Sequence, residues 1–250
     1  MNAIVLRLDA LLMSFGGVMV DHHGVIERFP ATSMFTGMIG NALGWRHADG
    51  QKLDSLQDRL VVAARWDVSP EALVDYQTVD LGQPKMANPG WTTRGQPEGR
   101  GNTSKAKMGT HQRYRHHWVD GLMTVILSLD PGEGPTVEDA ALALRRPFRP
   151  LFIGRKACLP SRPLLDPDTP LIEGATLLDA LNQVPVWDRR GRPVFASEPL
   201  EACWPAAEPV PEGVVVGRVR EVPDRRNWIS QLPTGGTWRA EGLLLRRCAS

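Results

Sequence analysis

The spacing of apolar positions changes several times along the chain, and each change marks an element. Residues 3–8 (AIVLRL) are an Ile/Val/Leu-rich run closed soon afterwards by Gly16 and Gly17, which predicts a first strand. Beyond Pro30, the residues Met34, Phe35, Met38, Ile39, Ala42 and Leu43 recur at helical spacing, with Thr32 or Ser33 placed to cap the helix and Gly44 to end it. Gly37 and Gly40 each weaken that helix by about 1 kcal/mol relative to alanine, so they are expected where a strand or a ligand comes close. Residues 52–60 make a second helical piece. Residues 60–68 (LVVAARWDV) and 118–129 (WVDGLMTVILSL) have the character of buried strands, and Thr136 caps a short amphipathic helix over 136–144. The order strand, helix, strand, insertion, strand, helix is most of a split βαβ, ferredoxin-like unit in an α+β domain.

After about Pro147 prolines become frequent and the segments short. Strands are expected there at 186–195, turning at Arg190 and Gly191, and at 214–222 and 238–248. The chain thus divides into residues 1–146, with an insertion over 77–117, and a β-rich region over 147–250. Most of the insertion is unlike its surroundings. From 83 to 110 it is rich in glycine and offers almost no aliphatic side chains beyond Met86, Ala87, Ala106 and Met108, so it cannot pack a core. A structureless excursion of that length, flanked by strand sequence, reads as an arm that projects and grips.

With 250 residues, 42% of them apolar, the chain can build a sizeable core, which excludes a fibrous or disordered protein. The uncharged stretch at 10–20 is about half of what a bilayer span needs, and Asp9 interrupts any signal-like run, so a cytoplasmic protein without membrane contact is expected. Cys158, Cys203 and Cys248 are odd in number and far apart, which encodes neither a disulfide framework nor a zinc knuckle.

Net charge is only +1, but its signs are segregated. Between 77 and 117 lie Lys85, Arg94, Arg100, Lys105, Lys107, Arg113 and Arg115 against Asp80 and Glu98. Between 145 and 162 lie Arg145, Arg146, Arg149, Arg155, Lys156 and Arg162 with no carboxylate. Such a pattern suits a polyanion lying across two loops, or equally a solvated surface.

Candidate chemistry is sparse. Asp21, His22 and His23 spell the DHH signature of metal phosphoesterases, but no further acidic clusters stand at strand ends to complete a dinuclear site, and adjacent His116 and His117 point to opposite faces of a strand. Neither a metal nor a cofactor is expected. Phosphate-loop, serine-hydrolase, zincin and Rossmann signatures are absent. Tyr114, Arg115, His116 and His117 are the residue types of a metal-independent ribonuclease, but binding RNA without cutting it asks only for charge and stacking, not precise alignment, and is the favoured reading. The eight tryptophans read as core and interface anchors, except Trp91, which lies in the arm.

Three segments carry a resemblance: Arg28 to Ser33 (RFPATS) leading into TGMIGNALG, Asp75 to Val79 (DYQTV), and Arg146 to Cys158 (RPFRPLFIGRKAC). Together, in matching order over roughly residues 1 to 165, they are similar to the CasD-type family of the type I-E CRISPR surveillance complex Cascade, in the RAMP superfamily. The resemblance implies a RAMP ferredoxin-like (RRM-like) βαββαβ domain with a thumb at 77–117, which kinks the CRISPR RNA, and a basic loop at 148–163 beside the RNA's 5′ handle. It implies the Cascade large subunit and backbone subunit as partners, with target DNA met only indirectly. RNA contacts are then expected from Arg28, Ser33, Tyr76, Thr78, Lys105, Lys107, Arg113, Arg115, His116, Arg149, Arg155 and Lys156, and a phosphate at the helix start near Ser33. Type I-C relatives are processing endoribonucleases, which keeps Tyr114, His116 and His117 open as a catalytic alternative.

Overall fold

The computed structural model describes residues 1–17, 22–80, 90–91, 97–98, 110–195 and 198–245. The chain runs through β1 (Asn2–Asp9), β2 (Leu12–Met13), β3 (His23–Gly24), α1 (Thr32–Ala42), a 3-10 turn (His47–Asp49), α2 (Gly50–Arg59), β4 (Leu60–Val68), β5 (Glu71–Asp80), the short β6 (Gly90–Trp91) and β7 (Pro97–Glu98), β8 (Thr110–Val119), β9 (Leu122–Leu129) and α3 (Val137–Arg145). It continues through β10 (Leu171–Glu173), α4 (Leu177–Gln183), β11 (Val186–Trp187), β12 (Pro193–Val194), β13 (Leu200–Pro205), β14 (Val214–Val222), β15 (Arg226–Asn227), β16 (Leu232–Pro233) and β17 (Thr237–Leu244).

Seven strands form one antiparallel sheet in the order β10-β1-β9-β4-β13-β17-β14. The longer strands after residue 147 extend this sheet, since β13 pairs with β4 through Ala202↔Arg65 and Cys203↔Ala64, and β17 and β14 follow outward. Period-two alternation explains the unbroken apolar runs. Ile4, Leu6, Leu8, Val125 and Leu127 pack into a core with Phe35 and Ile39 of α1 and Ala140 and Leu144 of α3. Ala3, Val5, Ala63 and Ile126 pack on the other face with Leu177, Leu178 and Leu181 of α4 and with Trp204. Each such valine, leucine, isoleucine or phenylalanine side chain contributes about 1.5–3 kcal/mol by leaving water.

Two arginines break the apolar pattern. Arg7 and Arg65 are almost fully buried. Arg7 donates from Nε to Asp166 (2.7 Å), from Nη1 to Asp67 (2.9 Å) and from Nη2 to the Pro185 carbonyl (3.0 Å). Arg65 donates from Nε to the other oxygen of Asp67 (2.7 Å) and from Nη2 to the carbonyls of Val184 (2.8 Å) and Pro185 (2.9 Å). Asp67 also accepts from Thr124 Oγ1 (2.7 Å) and the Trp187 amide (2.9 Å). Burial lowers the pKa of Arg7, and Asp67 and Asp166 oppose that shift.

Several expectations need correction. The stretch 118–129 is not one strand: it turns at Asp120 (φ +57°) and Gly121, and β8 belongs to a second sheet while β9 stays in the first. Neither Thr32 nor Ser33 caps α1. Ala31 is the N-cap; the Thr32 amide and hydroxyl donate to Asp224 Oδ2 (3.3 and 2.7 Å), and the Ser33 amide to the Asp224 carbonyl (3.0 Å). The helix start expected to bind phosphate is thus occupied by the chain's own carboxylate, brought there after β14. No strand approaches Gly37 and Gly40; what comes close is the side chains of Trp228 and Leu53, which a Cβ would approach to 3.2 and 2.5 Å, and both glycines also line a concavity described below. The Thr136 cap on α3 is present, accepting from the Asp139 amide (3.1 Å), and the hairpin near Gly191 and the strand at 214–222 are found. β10, β13 and α4 were not expected.

Asp67 is the acceptor shared by both buried guanidinium groups, so Asp67→Ala is expected to destabilise the fold by about 3–5 kcal/mol, read from the urea unfolding midpoint.

Candidate nucleic-acid interface

The second sheet is built around β8. β5 runs antiparallel to it along its length, from Glu71↔Val119 to Asp80↔Thr110, β2 pairs antiparallel near its end, and β3 pairs parallel at His23↔Tyr114. The inserted arm therefore leaves the body as a two-stranded ladder that starts six residues before the expected boundary at 77. Lys85, Arg94, Arg100, Lys105 and Lys107 lie outside the described residues, as do Asp21, Cys248 and the Trp91 side chain.

Alternation along β8 sorts the candidates onto two faces. Tyr114 and His116 share one face. The His23 ring stacks on Tyr114 (4.7 Å between centroids, 9° between planes), and Tyr76 lies on the far side of Tyr114 at 5.0 Å. Arg113, Arg115 and His117 take the other face. His117 is buried, with Nδ1 3.7 Å from Cys158 Sγ and Nε2 3.5 Å from Arg155 Nη1. Burial first, then the positive charge of Arg155, holds its pKa below the usual histidine range. Tyr114, His116 and His117 are thus not gathered at one point. Burial raises the pKa of Cys158, and that of Cys203 to about 12, which disfavours the reactive thiolate at each.

The second basic stretch reaches the first through a tight loop. The Ser14 amide donates to the Ile153 carbonyl (3.1 Å), the Ile153 amide to Cys158 (2.8 Å) and the Cys158 amide to Arg155 (2.8 Å). Gly154 has φ +94°, and a Cβ there would sit 1.8 Å from the Ser14 carbonyl oxygen, so only glycine fits. The loop lays Arg155 across the hairpin base, where it donates to the His116 carbonyl (2.9 Å) and, past Gly24, to the Gly24 carbonyl (3.0 Å).

Several arginines expected to meet RNA serve the fold. Arg155 is that strap. Arg149 donates to Asn41 Oδ1 (3.1 Å) and to the carbonyls of Gly44 (2.8 Å) and Trp45 (3.0 Å), just past the end of α1. Arg28 makes two 2.8 Å bonds to Glu201 and one of 2.9 Å to Ser69, and lies over Trp66 and Trp118. Arg162, which belongs to the second basic stretch without being among the expected RNA contacts, pairs with Asp9 (2.6 Å). In each case the planar fork of donors has found carbonyls or a carboxylate, which a count of charges along the chain does not reveal. Tyr76, Thr78, Arg115 and Lys156 are exposed, and Arg113, His116 and Ser33 half-buried.

Beside the loop, a concavity of about 740 Å³ lies between α1, the 3-10 turn and Trp228. Ser33, Arg46, His47, Arg149, Lys156 and Arg226 are among its lining residues, none of which is acidic. Arg226 Nε is buried there with no hydrogen-bond partner. Sequence reading missed Arg46, His47 and Arg226; the signal was the pairing of basic and aromatic residues in Trp45-Arg46-His47 and Arg225-Arg226-Asn227-Trp228. Among the described residues no cluster of three or more His, Cys, Asp or Glu side chains can hold a metal, and no helix is long and apolar enough to cross a membrane.

Comparison with known proteins gives this surface a context. The family model described as CRISPR-associated protein (Cas_Cas5) matches residues 3–234, well past the segment near 165 where the sequence resemblance thinned. The CRISPR system Cascade subunit CasD of Escherichia coli (strain K12) is 27% identical over 169 residues, 64% of this chain and 68% of its own. A chain of a CRISPR RNA-guided surveillance complex superposes with a TM-score of 0.64 at 22% identity, over 96% of this chain and 88% of its own. A second structure, described as a Cas protein, superposes with a TM-score of 0.58 at 22% identity, over 97% and 95%. These two likenesses show the fold, a mixed α/β structure of mostly sheet and few helices. With the family model spanning nearly all of its length, the chain belongs to the CRISPR-associated Cas5 family.

Proposed function

We propose that this chain is a noncatalytic RNA-binding subunit of a type I-E Cascade complex, which holds the 5′ handle of the CRISPR RNA and joins the large subunit to the backbone. The arm over 77–117 acts as the thumb that kinks the guide. The strand order β10-β1-β9-β4 supports the RAMP reading, since these are the fourth, first, third and second strands of a ferredoxin-like βαββαβ unit. In this reading residues 1–146 supply the first three strands and the helices of that unit, and residues 147–250 supply its fourth strand, β10, together with the basic loop and the strands that widen the sheet.

The observation that carries the proposal is the junction at Arg155. It ties the loop that carries the second basic stretch to the end of the first, at the His116 carbonyl, beside the concavity lined by Arg46, His47, Lys156 and Arg226, which supports reading the two stretches as one surface. Single-stranded RNA is held through its phosphates and splayed bases, and a cationic groove beside exposed rings offers partners for both.

Replacing Arg46 and Lys156 together by alanine is expected to weaken binding of handle RNA and to lower the slope of log affinity against log salt by about 0.7 for each phosphate no longer neutralised. An unchanged slope removes the groove from the interface. Incubated with repeat RNA in EDTA, the purified chain is expected to leave it intact. A product ending in a 2′,3′-cyclic phosphate, abolished by His116→Ala, would replace this reading with the endoribonuclease one.

A further inference from the structure

We infer that the row of rings crossing the second sheet is a stacking site for one unpaired base, entered at its Tyr76 end. This rests on the RNA-binding reading above and adds to it a site that takes the flat face of a base, where the groove takes phosphate.

His23, Tyr114 and Tyr76 stand directly opposite one another on three adjacent strands, β3, β8 and β5. Their rings therefore repeat at about the spacing of the strands, 4.7 Å and then 5.0 Å, with interplanar angles of 9° and 33°. His116, two residues along β8 from Tyr114, lies beside the row with its ring 6.2 Å from that of His23. The whole chain has two tyrosines and six histidines, and both tyrosines and two of the histidines meet here.

Core packing would account for such a gathering, yet these rings belong to neither core. Tyr76 is 51% exposed and His23 is exposed too. Among the described residues no strand pairs with β5 on the side away from β8, so the ring at the end of the row faces outward. Its nearest neighbours on the same face of β5, Val74 and Thr78, are exposed and uncharged. A base laid on Tyr76 would continue a stack that the protein has already ordered, and it would cover apolar ring surface that water now meets. Every base has such a face, so the site discriminates unpaired from paired nucleotides more than one base from another.

The test is a fluorescence titration of the full chain with a short single-stranded RNA that carries a fluorescent adenine analogue at one position at a time. Native protein and Tyr76→Trp are expected to quench one position. Tyr76→Leu should lose that quenching and bind roughly ten-fold more weakly, the scale of one base–aromatic stack, with its salt slope unchanged because no cationic group is removed. Thermal melting of each variant separates loss of the ring from loss of the fold. Independently of any variant, an abasic nucleotide at the quenched position should cost native protein a similar factor. Equal quenching by folded Tyr76→Leu, or no weakening with the abasic RNA, overturns the stacking site while RNA binding stands. A native chain that binds no RNA overturns the RNA reading itself and the site with it.

Discussion

The buried carboxylate of Asp67, held between the guanidinium groups of Arg7 and Arg65, is the constraint on which the rest of the molecule depends. Two cations in an interior would repel each other and lose their hydration. They are tolerated because Asp67, Asp166 and the carbonyls of Val184 and Pro185 meet their donors. The same bonds fix three neighbouring strands, β1, β4 and β9, to the segment between α4 and β11. An apolar cluster of equal volume would hold these parts together with less directional demand.

The position of the arm follows from that register. β5 leaves β4 after Val68 and β8 enters β9 at Leu122, so the root of the hairpin is set by strands the buried ions hold. Arg155 then fixes the basic loop to that root through two backbone carbonyls, and Gly24 and Gly154 permit the approach because neither presents a Cβ. An arginine serves well here because its fork reaches two carbonyls at once, which an ammonium group does less well. The result is a hairpin root, a short parallel strand and the loop at Gly154 joined through one side chain.

Division of labour among the cations is the main lesson of the surface. Arg28, Arg155 and Arg162 are engaged by the protein, Arg149 both holds the end of α1 and lines the concavity without acidic residues, and Arg46, Lys156 and Arg226 line it too, Arg226 while donating to the Gln231 carbonyl (2.9 Å). Equal formal charges in one stretch of sequence thus do different work, and the difference lies in what the fold brings to each side chain. Trp66, Trp187 and Trp204 are buried, whereas Trp238 is 62% exposed on a strand next to the sheet edge.

What the sequence by itself determined is the local record. Apolar runs located β1, β4 and β14, helical spacing located α1, Thr136 marked the start of α3, and the ordered segments RFPATS, DYQTV and RPFRPLFIGRKAC carried the family resemblance. These features were legible because they depend on residues a few positions apart. Only the tertiary structure decided that Asp224 caps α1, that Glu201 takes Arg28, that Arg155 is a strap, and that His23, Tyr114 and Tyr76 form one row. Each of those outcomes joins residues far apart in the chain, and a hydrogen bond or ring stack between them is set by strand register and loop closure, which no local pattern of side chains encodes.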